Sequence, residues 1–282
     1  FDISISSCYH DRSLSPSEIK KMQPMANIAL RAARKAADFI LLSFDRPDQF
    51  QIEQKSSKDF VTNIDRTAED IIIEQIRTTY PNHNILAEES GDKTQTDQSE
   101  YTWIIDPIDG TMNFIRGIPH FAVSIGIRKG KHLEHGIILD PINQEEYVAS
   151  RGYGATLNAK KMRVANRETL DEALIASGIA ASSVSERLDF YIEKFKEFTR
   201  ICQSVRSTGS AALDLAYVAS GKTDGFWHPD LKPWDIAAGV VLVREAGGFI
   251  GDFMGGENFY ETGDIIAANP KCFKAIVQKL SR

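Results

Sequence analysis

Trp103-Ile-Ile-Asp106-Pro-Ile-Asp109-Gly110-Thr111-Met-Asn113-Phe114 sets an apolar run directly against two aspartates and a glycine. The β-branched run reads as a buried strand that delivers Asp106 at its end. Pro107 has no N–H to give a ladder and is expected to stop the strand there. Asp109-Gly110 then makes a tight turn, because glycine tolerates positive φ. The bend should carry two carboxylates, with backbone N–H groups exposed beside Thr111. Oxygen donors of this kind suit a hard cation such as Mg²⁺, and exposed amides at a turn hold phosphate. Taken alone, Asp-Pro and Asp-Gly are equally ordinary turn residues.

Upstream, the apolar positions Met25, Ile28, Ala29, Ala32, Ala36, Phe39 and Ile40 recur at helical spacing. Arg31, Arg34, Lys35 and Asp38 form the opposite, solvated face. A second helix is predicted from near Asp65 to Tyr80, ahead of Pro81. Short apolar runs follow at Ile85–Ala87, Trp103–Ile105, Phe121–Ile127, Gly136–Leu139 and Tyr147–Ala149. Turn-forming stretches separate several of them, so they read as an antiparallel meander that continues through Gly152–Val164. After Leu170 strands and helices alternate. The strands are Leu174–Ser177, Cys202–Val205 and Asp224–His228, with more ending near Ala268. The helices are Glu186–Arg200, Ser210–Ser220 with Gly221 as its stop, Trp234–Ala246 and Pro270–Leu280. Strands and helices in two successive blocks, about 22–165 and 166–282, predict a layered α/β sandwich whose blocks share one interface. Residues 1–21, Ser-rich and without helical periodicity, read as a poorly ordered extension.

A length of 282 residues allows two modest domains or one large layered one. No apolar run approaches the roughly 20 residues needed to span a bilayer, and no secretory signal is evident. A net charge of -6 argues against broad binding to a nucleic-acid backbone. Cys8, Cys202 and Cys272 form no disulfide or zinc pattern, which points to a reducing cytoplasm.

Two other acidic spots bear on the Asp106–Asp109 bend. Glu88 and Glu89 follow a short strand, and Asp235 opens an apolar helix. A solvated loop explains the glutamates as well, and a helix first turn favours any negative charge. Brought together, Glu88, Asp106, Asp109 and Asp235 would hold two divalent cations, the arrangement used for phosphoryl displacement.

With these residues in view, the chain resembles the inositol monophosphatase family. Trp103–Phe114 is similar to its first signature and Pro233-Trp-Asp-Ile-Ala-Ala-Gly239 to its second. Lys58-Asp-Phe-Val-Thr-Asn-Ile-Asp65, Ala87-Glu-Glu-Ser-Gly91 and Arg206-Ser-Thr-Gly-Ser-Ala-Ala-Leu-Asp-Leu-Ala216 match further blocks in the right order. Pro119-His-Phe-Ala-Val-Ser-Ile125 is familiar from the bacterial extragenic-suppressor branch, a phosphatase also associated with transcription antitermination. The resemblance runs from about Met25 to the end. It implies a five-layer αβαβα sandwich, a small phosphorylated polyol as substrate, two or three Mg²⁺ per site, inhibition by Li⁺, and a homodimer. By position it implies Glu88, Asp106 and the Ile108 carbonyl around a first cation, and Asp106, Asp109 and Asp235 around a second. Thr111, oriented by Asp65 and assisted by Glu88, would place the attacking water. Gly110 and Thr111 amides would bind the phosphate, with Asp109, Ala211 and His228 toward the substrate. At His228 the family usually has Glu, which contacts a ring hydroxyl. His228 is therefore either a neutral substitute for that contact or a tolerated rim residue. A bisphosphatase of the same fold and a binding component of a transcription complex are the alternative functions.

Overall fold

The structure, a computed structural model, describes residues 22–46, 50–56, 59–92, 99–179 and 184–281. The expectation for residues 1–21 lies outside the described residues. Helix α1 (Pro24–Phe44) starts on a proline, whose fixed φ suits a first turn, and turns an alanine-rich face inward. Ala29, Ala32, Ala33, Ala36 and Ala37 are all fully buried there, so α2 (Asn63–Thr79) packs close against it. Arg34 corrects the reading of a solvated basic face. Its guanidinium is partly buried and grips Glu146 in a fork of 2.7 and 2.8 Å.

Short strands β1 (Ile52–Ser56) and β2 (Asp59–Thr62) form a hairpin leading into α2. Strand β3 (Asn84–Ala87) and the two-residue β4 (Gly91–Asp92) follow it. Strand β5 (Tyr101–Asp109) is central in function, and the five-residue helix α3 (Thr111–Ile115) follows it. The meander continues with β6 (Ala122–Lys129), β7 (His132–Asp140), β8 (Glu145–Ser150), β9 (Gly154–Leu157) and β10 (Lys160–Lys161). Together β3 to β10 make an eight-stranded sheet in the order β10-β9-β8-β7-β6-β5-β3-β4. One pairing departs from the predicted antiparallel meander: β3 runs parallel to β5.

The second sheet has five strands in the order β12-β11-β13-β15-β14. They are β11 (Leu174–Ser177), β12 (Ser204–Arg206), β13 (Gly225–His228), β14 (Phe249–Gly251) and β15 (Ile265–Ala268). Between the sheets lie α5 (Ala211–Ser220) and α6 (Pro233–Glu245), buried almost throughout. On the outer face of the smaller sheet, α4 (Val184–Ile201) and α8 (Pro270–Leu280) close the last core around Phe198, Trp227 and Ile276. A one-turn helix α7 (Phe259–Thr262) precedes β15. The layers thus run helix, sheet, helix, sheet, helix.

Pro107 corrects a local expectation. The strand passes through it to Asp109. Asp106 pairs with Ser124 and Asp109 with Ala122, so two residues of β5 face one of β6. That count is a β-bulge, which tolerates proline and redirects the side chains after it. Cys202 and Cys272 are free and buried. Among the described residues no helix is long and apolar enough to cross a membrane.

Candidate active site

Three carboxylates converge at the end of β5. Asp106, Asp109 and Asp235 each present an oxygen, and these atoms all lie within 4.8 Å of one another. The bulge delivers the first two, while α6 brings Asp235 in its first turn. The Ser124 hydroxyl donates to the Trp234 carbonyl at 3.4 Å, tying the start of α6 to the strand beside Asp106. Backbone amides orient these acids. The Ile108 N–H donates to Asp106 Oδ1 at 3.0 Å, and the Lys232 N–H to Asp235 Oδ2 at 2.8 Å.

Glu88 sits in the turn after β3, where its amide donates to the Ile105 carbonyl at 3.1 Å. Its carboxyl is hydrogen-bonded to that of Asp106. Glu69, buried on α2, accepts the Glu89 amide at 2.8 Å and so fixes this turn. Glu69 lies one helical turn after Asp65 and shares its inward face. An acidic pair on an apolar face was the sequence signal for it.

Asp65 is buried at the third position of α2. Its Oδ2 accepts the Thr62 amide at 2.9 Å and the Thr62 hydroxyl, closing a capping box. Its Oδ1 lies 3.1 Å from Thr111 Oγ1, which is also 3.0 Å from the Ile108 carbonyl. A hydroxyl has one proton, so Thr111 donates to one of these at a time. Donation to Asp65 leaves the Ile108 carbonyl oxygen available. Gly110, with φ +101°, makes the turn into α3. A Cβ there would stand 3.1 Å from the His120 carbonyl and 3.2 Å from that of Gly209. Only glycine suits both the angle and the space.

The N-terminus of α5 is aimed at Asp109. The Ser210 hydroxyl and the Ala212 amide both donate to its Oδ2, the amide at 2.7 Å. Ser210 also caps α5 through the Leu213 amide. From the other side, Asn113 Nδ2 donates to the His120 carbonyl at 2.8 Å and to the Thr208 carbonyl at 2.9 Å. Asn113 and Ser210 therefore bind the bend after β5 to the loop before α5. The sequence marks Ser210 as an N-cap, but gives no sign that its hydroxyl also reaches Asp109.

The electrostatics are those of acids crowded together. Burial, then the charges of Glu88, Asp109 and Asp235, hold Asp106 well above the usual carboxylate range. Burial pushes Asp109 up to about 6, against the hydrogen bonds from Ser210, Ala212 and Ala211. Burial and the Asp109 charge raise Asp235 well above its ordinary value. Carboxylates packed this closely cannot all ionise without a cation. The donors are all oxygen, matching Mg²⁺ chemistry, so the residues fit that ion.

Beside the cluster opens a cavity of about 230 Å³, lined in part by Asp109, Asp235, Ala211, Ser207, Asp214 and His228. Asp214 is buried on α5, accepts the Thr208 hydroxyl at 2.8 Å, and is pushed up to about 8, chiefly by burial. It was passed over in the sequence, although a lone acid in the run Ala-Ala-Leu-Asp-Leu-Ala is a visible signal. Thus Asp65, Thr111, Glu88, Asp106, Ile108, Asp109 and Asp235 gather at one place, and Ala211 and His228 line the adjoining cavity.

The sequence model of the inositol monophosphatase family matches residues 21–282. The Nus factor SuhB of Pseudomonas aeruginosa is 47% identical over 258 residues, covering 91% of this chain and 95% of its own. Among solved structures, the extragenic suppressor protein of Bartonella henselae matches with a TM-score of 0.89 at 36% identity, over 92% of this chain and 99% of that one. The inositol monophosphatase from Anabaena matches with a TM-score of 0.82 at 35% identity, over 91% and 95% of the two chains. Sequence, sandwich and acidic cluster agree in one assignment: this chain belongs to the inositol monophosphatase family.

Proposed function

We propose that the protein is a Mg²⁺-dependent phosphomonoesterase, releasing phosphate from inositol monophosphate or a related small polyol phosphate. The observation that supports it most directly is the convergence of Asp106, Asp109 and Asp235 beside a cavity fit for a small alcohol. Glu88, Asp106 and the Ile108 carbonyl would hold one cation, and Asp106, Asp109 and Asp235 a second, in keeping with the two or three Mg²⁺ that the family resemblance implies. Bound there, Mg²⁺ supplies the charge that activates water, neutralises the phosphate and stabilises the leaving alkoxide. Thr111 donates its proton to Asp65, which turns its oxygen lone pairs toward the attacking water. Glu88 takes up that water's proton as its oxygen bonds to phosphorus, the P–O bond to the alcohol breaks, and the departing alkoxide takes a proton from solvent water. The Gly110 and Thr111 amides receive the phosphate oxygens, and Ala211 and His228 face the alcohol.

Phosphate release from inositol monophosphate with Mg²⁺, with and without Li⁺, tests this reading, with fructose 1,6-bisphosphate as the competing substrate. The expected outcome is Li⁺-sensitive turnover on the monophosphate that falls by about 10³-fold or more in Asp106→Asn. Equal turnover in that variant, or full turnover in excess chelator, would overturn it. A second reading draws on a relative's name, Nus factor. It makes this chain a cytoplasmic homodimer that also serves a transcription antitermination complex. If Asp106→Asn, folded but inactive, restores the cellular role in full, that role is independent of catalysis.

A further inference from the structure

A second cavity, of about 780 Å³, opens at the far end of the elements that build the acidic site. Its walls come from the β6–β7 hairpin, the last turn of α6 and the short α7, and it shares no lining residue with the smaller cavity. On β6, Arg128 lies four residues beyond Ser124, the partner of Asp106, about 13 Å along the strand. On α6, Arg244 lies nine residues beyond Asp235, about 14 Å along the helix.

Two residues of its wall each carry a buried side-chain donor without a partner: Arg128 at Nε and Tyr260 at its hydroxyl. Buried polar atoms in folded proteins are nearly always paired, so an orphaned pair in one cavity points to something that binds there. Arg128 and Arg244 both lie close enough for their charges to act on Tyr260. Two of the three acids of the wall are already engaged. Glu257 pairs with Arg244 at 2.6 Å, and Glu245 accepts the Gly152 and Gly154 amides at 2.9 and 2.8 Å. The Arg244–Glu257 pair is exposed and therefore weak, so Arg244 can turn to a stronger anion. Among the described residues no carboxylate pairs with Arg128. Lys131 and His132 add basic groups at the rim, and Glu261 is the opposing charge there.

We propose that this cavity binds a phosphate group, held by Arg128, Tyr260 and Arg244, at a site separate from the acidic one. Donors arriving from a strand and two helices suit a tetrahedral anion with several oxygens. A planar carboxylate would be satisfied by one guanidinium fork. The assignment does not rest on the catalytic reading, because it uses none of the same residues.

Calorimetric titration of the whole protein in chelator tests it. Without a cation the acidic cluster repels anions, so phosphate binding there is suppressed. Inorganic phosphate and glycerol 2-phosphate are the two probes. Saturable one-site binding is expected, weakened about tenfold or more in Arg128→Gln and several-fold in Tyr260→Phe. An ester that binds much more tightly than inorganic phosphate makes a phosphate monoester the occupant; equal affinities make it inorganic phosphate. Thermal unfolding checks that both variants are folded, and if Arg128→Gln is not, Tyr260→Phe decides, since it removes one oxygen and no bulk. No saturable binding of either probe, or binding unchanged in the folded variants, would overturn the proposal.

Discussion

His228 Nδ1 lies 2.7 Å from the Pro229 carbonyl, an oxygen that only accepts, so the ring proton sits on Nδ1 and Nε2 is left as a bare acceptor. Burial pushes this imidazole down to about 4, so it stays neutral throughout the physiological range. Nε2 is close against Gly178, where an added Cβ would stand 2.9 Å away. A neutral acceptor held in this way can take a hydrogen bond from a substrate hydroxyl, the role that the resemblance gives to Glu. His228→Ala should therefore raise KM for a polyol phosphate about five- to tenfold, with kcat little changed, since uniform binding is what it removes. The folded pKa lies below the working range, so the His228 contribution to KM should be flat between pH 6 and 8. A KM that climbs as pH falls through 6.5, in wild type but not in the variant, would show an imidazole that titrates. The departure at His228 was legible in the sequence, but its tautomer was not. That depends on a carbonyl one residue away whose direction is set by the chain's path out of β13.

Close packing of α6 against the larger sheet decides where Asp235 lies. The contact is made through glycines. A Cβ on Gly136 of β7 would fall 2.3 Å from the Ala238 carbonyl, and one on Gly126 of β6 would fall 2.6 Å from the Ala237 side chain. The atoms that a Cβ on Gly136 would meet all belong to the Ala238 backbone, so Gly136→Ala must push the helix off the sheet. Overpacking of this kind costs about 1–3 kcal/mol, and the displacement acts on Asp235 in the first turn of the same helix. Denaturant unfolding should show that loss. Activity should fall further than stability explains, while circular dichroism stays native. A variant as stable and active as wild type would mean the helix is not positioned by this contact. Most elements were legible because their periodicity is local: the alanine stripe of α1 and the apolar runs of β6, β7 and β8 declare themselves. Two features were not. The parallel pairing of β3 with β5 is a nonlocal choice that no strand encodes by itself. The bulge at Pro107 reads as a strand end until the partner strand is in place, because a missing N–H looks the same in both cases.

Across the whole molecule, the acidic cluster is a conflict between folding and function that spans both halves of the sandwich. Asp106 and Asp109 come from the larger sheet, and Asp235 comes from a helix sandwiched between the sheets. The sequence could name all three acids, yet their meeting depends on the stacking of layers, which no local pattern carries. All three have folded pKa values raised above the ordinary carboxylate value, so the folded state holds their protons more tightly than the unfolded chain does. The sign follows: without metal, stability is lost as pH rises through the folded values, about 6 for Asp109, and is recovered toward the unfolded value near 4. His228 acts the other way below about 6.5, since the unfolded imidazole gains a proton that the folded one refuses. A comparison at pH 7.5 avoids that overlap. In chelator at this pH, Asp106→Asn should unfold at a higher temperature than wild type, because it removes an acid whose ionised form the folded state disfavours while its amide oxygen can still accept the Ile108 N–H. Added Mg²⁺ should reverse the order. At 100 times its dissociation constant a ligand adds about 2.7 kcal/mol to the native state, a gain of several degrees for wild type that the variant largely forgoes. Scanning calorimetry of both proteins, with and without Mg²⁺, reads this directly. If Mg²⁺ left the wild-type transition where it was, the cluster would not be a cation site, and the repulsion among its acids would have to be relieved by protons alone.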